Sequence, residues 1–312
     1  MGFEVIAAQI AMLGIAMLIG FGSVKLKYLE KEVAGSISRV IVRITLPLLI
    51  ITSITSQDLN ADMLKNAGIL IAIEVAALLL LFGAATLTAK CFGLCGATKT
   101  IHRLMGTFGN VIFLGYPLIT ALYGQTGLFY AVIYALVNDG FVWTYGVYLM
   151  VRDKQRQSES SPFRNLINPN TVSFAISIVM LAFGLRLPEL IHTTLAGIGS
   201  LTTYLSMLFI GMTLATIDLK TIYKKVSIFV LTAVKMVLFP LCLILVLRLL
   251  PLDRTLCGVL VLQVAMPVQT VLTILAREYE SDFKYAAECV FITTVLSLGL
   301  LPLCYYMIML LF

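Results

Sequence analysis

Gly109-Asn110-Val111-Ile112-Phe113-Leu114-Gly115-Tyr116-Pro117 and Gln263-Val264-Ala265-Met266-Pro267-Val268-Gln269 are the two stretches that decide how this chain folds. Each sets a proline and amide side chains inside an apolar run that is otherwise long enough to cross a bilayer. Proline has no backbone N–H and its ring crowds the preceding turn, so a helix interrupted there releases polar backbone groups. Lipid cannot satisfy them, and such a break persists only where it lines a cavity or is buried in protein. Two half-helix N-termini meeting at that point would present about half a positive charge each, for which an organic carboxylate is a natural ligand. Asn110, Gln263 and Gln269 would add amide groups, with Gly109, Pro117 and Pro267 shaping the backbone around the ligand. The bland alternative is a pair of ordinary proline kinks.

Working outward, 60% of the 312 residues are apolar and 12% are charged, about half the charged share of an ordinary soluble domain. This argues against a soluble enzyme and leaves no room for a separate soluble domain. Apolar runs occupy residues 5–22, 33–54, 64–90, 103–123, 128–151, 171–187, 193–216, 226–250, 256–276 and 283–311, which predicts an all-α membrane protein of ten spans. The first run follows Met1-Gly2-Phe3-Glu4 with no basic segment before it, so it reads as a membrane helix and not a removed signal peptide. The net charge of +6 resides in the gaps between runs and points to topology, not nucleic acid. Loops after the odd-numbered runs hold fifteen Lys and Arg and the other side holds four, which places both termini outside a cytoplasmic membrane. The six cysteines show no CxxC pair and read as packing thiols.

The longest hydrophilic piece, residues 152–168, contains Ser158-Glu159-Ser160-Ser161-Pro162 and divides the chain into 1–151 and 169–312. Each half has five runs, an odd number, so the second would enter the membrane inverted relative to the first. An offset of 160 lays Leu48, Ile50, Asp58 and Leu59 on Leu208, Ile210, Asp218 and Leu219. An offset of 150 lays Pro117, Thr120 and Leu122 on Pro267, Thr270 and Leu272, which makes spans four and nine the paired broken helices.

Ionisable groups inside the runs are the second signal, because a charge at the bilayer centre costs at least about 2.5 kcal/mol. Glu74, Asp139 (beside Asn138), Lys235 and Glu288 are the candidates. Asp139 and Lys235 lie at similar depth, which allows a structural ion pair; a proton-coupling role for Asp139 or Glu74, or a countercharge role for Lys235, are the functional readings. Glu288 is expected to reach water at the cytoplasmic end. Arg39 and Arg43 would share a face and snorkel to the interface. His102 and His192 are assigned to loops, far apart, so no metal site is expected, and no cofactor or nucleotide motif occurs.

The chain resembles a bacterial member of the auxin efflux carrier family, within the superfamily that includes bile acid sodium symporters. The residues that carry the likeness are Ile44-Thr45-Leu46-Pro47, Gly109-Asn110 through Gly115-Tyr116-Pro117-Leu118, Leu122-Tyr123-Gly124 and Val142-Trp143-Thr144-Tyr145-Gly146-Val147-Tyr148. Asn168-Pro169, Ser206-Met207-Leu208-Phe209-Ile210-Gly211-Met212 and Ala265-Met266-Pro267 continue it through the second half. The resemblance implies two inverted five-helix repeats, a scaffold of spans 1, 2, 6 and 7 that often forms a homodimer, and an elevator-type transport domain of spans 3–5 and 8–10. Its members carry organic anions, so the expected activity is transport of a small carboxylate with a proton or sodium as the coupling ion. Asn110, Pro117 and Pro267 match the family's crossover. Gln269 departs from it, since members often place Asn just after the second proline. A sodium-coupled symporter of the bile acid type and a non-transporting membrane sensor are the alternative readings.

Overall fold

The structure is a computed structural model that describes residues 3–56, 61–153, 169–216 and 225–311. Nearly all of the 152–168 linker, and Asp58, Leu59, Asp218 and Leu219 of the internal comparison, lie outside the described residues. Among those described, all regular structure is helical. The helices are α1 (Phe3–Lys25), α2 (Val33–Thr55), α3 (Ala61–Cys91), α4 (Gly96–Thr107), α5 (Val111–Arg152), α6 (Pro169–Ala182), α7 (Glu189–Ala215), α8 (Val226–Leu247), α9 (Arg254–Ala265), α10 (Val271–Glu278) and α11 (Phe283–Leu311). Six of them, α2, α3, α5, α7, α8 and α11, are long and apolar enough to cross a membrane, while α1, α6 and α9 contribute shorter apolar stretches.

At 42 residues, α5 would extend about 60 Å if straight, roughly twice the thickness of a hydrocarbon core. Gly124 divides it, with φ 63° and ψ −152°, a conformation that a residue with a Cβ strongly resists. Its position matches the gap between the runs at 103–123 and 128–151.

Three prolines lie in helices that continue past them. Pro47, Pro117 and Pro240 each follow by two residues the end of a π-helical turn: Ile41–Thr45, Val111–Gly115 and Val234–Leu238. A proline ring strikes the carbonyl four residues back, here that of Arg43, Phe113 or Met236, and each of those carbonyls belongs to the widened turn. The wider turn relieves the clash and the missing donor together, so the helix continues. Pro117 is therefore not the breakpoint of its run.

The chain forms two compact units. The first comprises the described residues of 1–69, 112–133 and 167–216. Within it α1 packs along α7, and the second half of α2 packs on α6 and α7. These contacts are close because small residues face backbone: a Cβ on Gly211 would overlap the Met17 carbonyl, one on Gly20 the Leu208 carbonyl, and one on Gly199 would lie 2.8 Å from the Leu49 nitrogen. Thr202 donates to Thr45 Oγ1 at 2.8 Å, a buried hydrogen bond between α7 and α2.

The second unit comprises the described residues of 70–111, 134–166 and 217–312. Its centre is α9, buried on every face from Leu256 to Ala265. Helices α8 and α11 pack against α9, and α4 packs on α11. His102 and His192 are helical, in α4 and α7, and not in loops. His102 is fully buried, with Thr88 Oγ1 2.9 Å from Nε2 and the Tyr285 hydroxyl 2.8 Å from Nδ1. Thr88 donates to the Ala85 carbonyl, so its oxygen accepts from Nε2–H; Nδ1 then accepts from Tyr285, whose oxygen accepts from Ser227 at 3.0 Å. This one-way chain ties α3, α4, α8 and α11 together through a neutral imidazole. Glu288 does not reach water either: it is 2% exposed and forms an ion pair with Lys225. Arg39 and Arg43 are both exposed.

Filling the α1/α7 contact tests the first unit. Gly211→Val should destabilise the protein by about 2 kcal/mol through overpacking, read as a lowered melting temperature in detergent. Gly22→Ala, where an added Cβ meets nothing within 4 Å, should melt with the wild type. Equal melting of both variants with the wild type would contradict the packing.

Candidate functional site

Helix α4 ends at Thr107 and α9 ends at Ala265, and the residues after each are extended: Phe108 at φ −91°, ψ 137° and Met266 at φ −57°, ψ 143°. The two extended pieces lie antiparallel, with Gly109 opposite Val268. Asn110 N donates to the Pro267 carbonyl at 2.7 Å, and Gln269 N donates to the Phe108 carbonyl at 3.2 Å. A single bridge thus satisfies four of the backbone groups that the two breaks release. Gly109 is needed for the approach, since a Cβ there would lie 3.3 Å from the Met266 Cβ and 3.4 Å from the Gln263 carbonyl. Beyond the crossing the chain re-enters helix at Val111 and Val271, so α5 and α10 both start beside it.

The bridge has an internal two-fold relation. Phe108 stands to Gln269 as Pro267 stands to Asn110, so the position equivalent to Pro267 is Phe108, and Asn110 is the counterpart of Gln269. The offset of 150 that laid Pro117 on Pro267 is therefore replaced at the crossing by one of 159. The sequence comparison matched two prolines, whereas the backbone matches two amides.

Around this bridge the second unit supplies a polar shell. Asn110, 1% exposed, donates from Nδ2 to Thr270 Oγ1 at 3.2 Å. Gln269 donates from Nε2 to Asp139 Oδ1 at 3.0 Å, and its Oε1 accepts a longer bond of 3.4 Å from Asn138 Nδ2. Val268 N donates to Thr293 Oγ1 at 3.2 Å, and Thr293 in turn donates to the Cys289 carbonyl. Gln263, 1% exposed in the last turn of α9, has neither amide atom hydrogen-bonded. A polar group buried in this state forfeits its solvation, at a cost of about 1–3 kcal/mol.

The charged residues are arranged differently from the sequence expectation. Lys235 is 1% exposed and donates to the Thr107 carbonyl at 3.1 Å, with no ion pair to Asp139. Similar depth does not by itself bring two side chains together: Lys235 meets the exposed carbonyls at the end of α4, the negative pole of that half-helix. Asp139, half-buried, is held by Gln269 and Asn138. Glu74 is fully buried, no side chain is hydrogen-bonded to its carboxylate, and it lies near the Asn138 backbone, Asp139 and Tyr134. Glu74 and Asp139 thus belong to the same compact unit as the crossing.

Thr270, Thr293 and Tyr134 are polar neighbours that the sequence reading did not single out. Thr270 directly follows Gln269, a position where a hydroxyl could have been noticed. Thr293 gives no such signal, since its bond to the carbonyl four residues back is what any helical threonine in an apolar run makes.

The Thr293-Thr294 pair offers a test. Thr293→Val leaves the Val268 N–H unsatisfied and should cost about 1–3 kcal/mol, with faster hydrogen exchange at Val268 and Gln269. Thr294 Oγ1 is buried with no partner, so Thr294→Val should be neutral or stabilising. The reverse ranking of the two variants would contradict the bonding of the crossing.

The model of the membrane transport protein family matches residues 5–305. An uncharacterized transporter of Methanocaldococcus jannaschii is 25% identical over 297 residues, covering 93% of this chain and 94% of that protein. An uncharacterized transporter of Methanothermobacter thermautotrophicus is 24% identical over 295 residues, with the same coverage of both. With an apolar helical chain matched almost from end to end, the protein belongs to the membrane transport protein family, that of the auxin efflux carriers.

Proposed function

We propose that this transporter carries a small organic carboxylate across the cytoplasmic membrane by alternating access, binding the anion at the crossing of the two broken helices. The observation that carries the reading is the antiparallel bridge at Gly109 and Val268, which sets Asn110 and Gln269 at equivalent positions beside the starts of α5 and α10. Amide N–H groups and half-helix N-termini are donors without full charges, suited to a carboxylate that must be released again. Asn110, Gln263 and Gln269 are the proposed ligands, on a backbone shaped by Gly109 and Pro267. Pro117, seven residues beyond Asn110, supports the helix that leads away from the site.

The neighbouring carboxylates imply a companion cation. At an effective dielectric of 20, two unit charges 4 Å apart repel by about 4 kcal/mol, so an anion arriving beside an ionised Asp139 meets a repulsion of that order. Lys235 is bonded to the Thr107 carbonyl and not to either carboxylate. Uptake of a proton by Asp139 or Glu74, or of sodium, removes that repulsion.

In this reading 1–151 and 169–312 are inverted five-helix repeats, joined by a cytoplasmic linker at 152–168, with both termini outside. The fifteen-to-four distribution of Lys and Arg supports that topology. The unit that holds the crossing moves against an anchored unit built on α1, α2, α6 and α7, which provides the surface of a homodimer.

Reconstituted proteoliposomes test this directly. Uptake of malonate or malate should occur and should respond to an imposed proton gradient, while a response to sodium alone would replace the proton by sodium. Asn110→Ala should abolish flux while the melting temperature stays within a few degrees of the wild type. Normal flux in that variant would remove the crossing as the site, and binding without flux would favour a sensor.

A further inference from the structure

The side chain of Gln269 is hydrogen-bonded at both of its polar atoms. Its Nε2 donates to Asp139 and its Oε1 accepts from Asn138, so an amide beside the crossing is held by two adjacent residues of α5. The opposite orientation would set Gln269 Oε1 against a carboxylate oxygen, so the network fixes the amide. Its counterpart across the two-fold relation, Asn110, donates to a neutral hydroxyl, Thr270 Oγ1. The two equivalent amides therefore differ in one respect: the second is bound to a carboxylate of the chain itself. Asp139 occupies one of the two N–H donors that Gln269 Nε2 could offer to a carboxylate ligand.

Resting on the carboxylate reading above, we infer that Gln269 and Asp139 form a latch in which the chain's own carboxylate competes with the transported one for the Gln269 amide. The ionised Asp139 holds Gln269 through a charge-assisted hydrogen bond, about twice as strong as one between neutral groups. A proton on Asp139 weakens that hold and removes the repulsion between it and an arriving anion. Gln269 then turns its N–H groups to the ligand, and proton and anion bind together with positive linkage. Among the described residues, the titratable groups near Asp139 are Glu74 on α3 and, beside Glu74, Tyr134 on α5; Lys235 on α8 is bonded to Thr107 and not to Asp139. Glu74 therefore adjusts where in pH the latch opens, and Asp139 is the group that opens it. The longer side chain of Gln269, where Asn would be shorter by one methylene, is what spans the gap to Asp139.

The test is calorimetric titration of the full-length protein in detergent with malonate and with malate, over a series of pH values from acidic to neutral. In the wild type, affinity should rise as pH falls, by up to about tenfold per pH unit where one proton is linked to one anion. Asp139→Asn should bind with no pH slope, because a neutral amide cannot change its hold on Gln269. Gln269→Ala should bind more weakly at every pH and also without slope, which keeps the test intact if the first variant does not fold. Glu74→Gln should move the slope along the pH axis but retain it. A slope that survives in both Asp139→Asn and Gln269→Ala, or one removed by Glu74→Gln alone, overturns the latch and leaves the carboxylate site standing. Binding of neither anion by the wild type at any pH overturns the carboxylate reading and the latch with it.

Discussion

Everything in the second unit answers to one constraint: backbone N–H and carbonyl groups released inside an apolar interior must find partners within the protein. Two helices stop there, at Thr107 and Ala265, and their extended residues satisfy one another through a single antiparallel bridge. Two further loose groups are met by side chains sent from elsewhere. Thr293 of α11 accepts from Val268, and Lys235 of α8 donates to Thr107. Gly109 is a glycine because Met266 stands against it, and the neighbouring threonine and amide side chains follow from the same need.

Much of the fold could be read from the letters because lipid restricts the choices. Every apolar run carries helix, and the two runs that looked broken are broken. The reasons assigned to the breaks were less secure. Pro267 does lie in its interruption, yet Pro117 sits in a continuous helix, because a π-helical turn ahead of it absorbs both the lost donor and the steric clash. Whether a proline breaks a helix depends on how the preceding turn can widen. Sequence spacing does not encode that. The amides of Asn110 and Gln269 proved the better guide, but their equivalence became visible only through the backbone register.

The same limit governs the charges. Depth along a helix can be counted from the sequence, but the direction a side chain faces around its axis depends on neighbours far along the chain. Asp139 and Lys235 lie at matching depth and bind different partners, Gln269 and the Thr107 carbonyl. Glu288, whose place in its run suggests water, meets Lys225, and His102, in a helix and not a loop, closes a buried hydroxyl chain. These corrections sort the scarce ionisable residues into two groups. Glu288 and His102 are held by partners that fix helix positions. Among the described residues Glu74 and Asp139 form no ion pair, which suits them to the charge changes of a working cycle.

The most direct measurement is an experimental structure of the full chain determined with malonate or malate present. The account predicts ligand density within hydrogen-bonding distance of Asn110 Nδ2 and next to the bridge between Gly109 and Val268, with the start of α5 or α10 facing its carboxylate. Ordered ligand density that touches neither 108–110 nor 266–270 would contradict it.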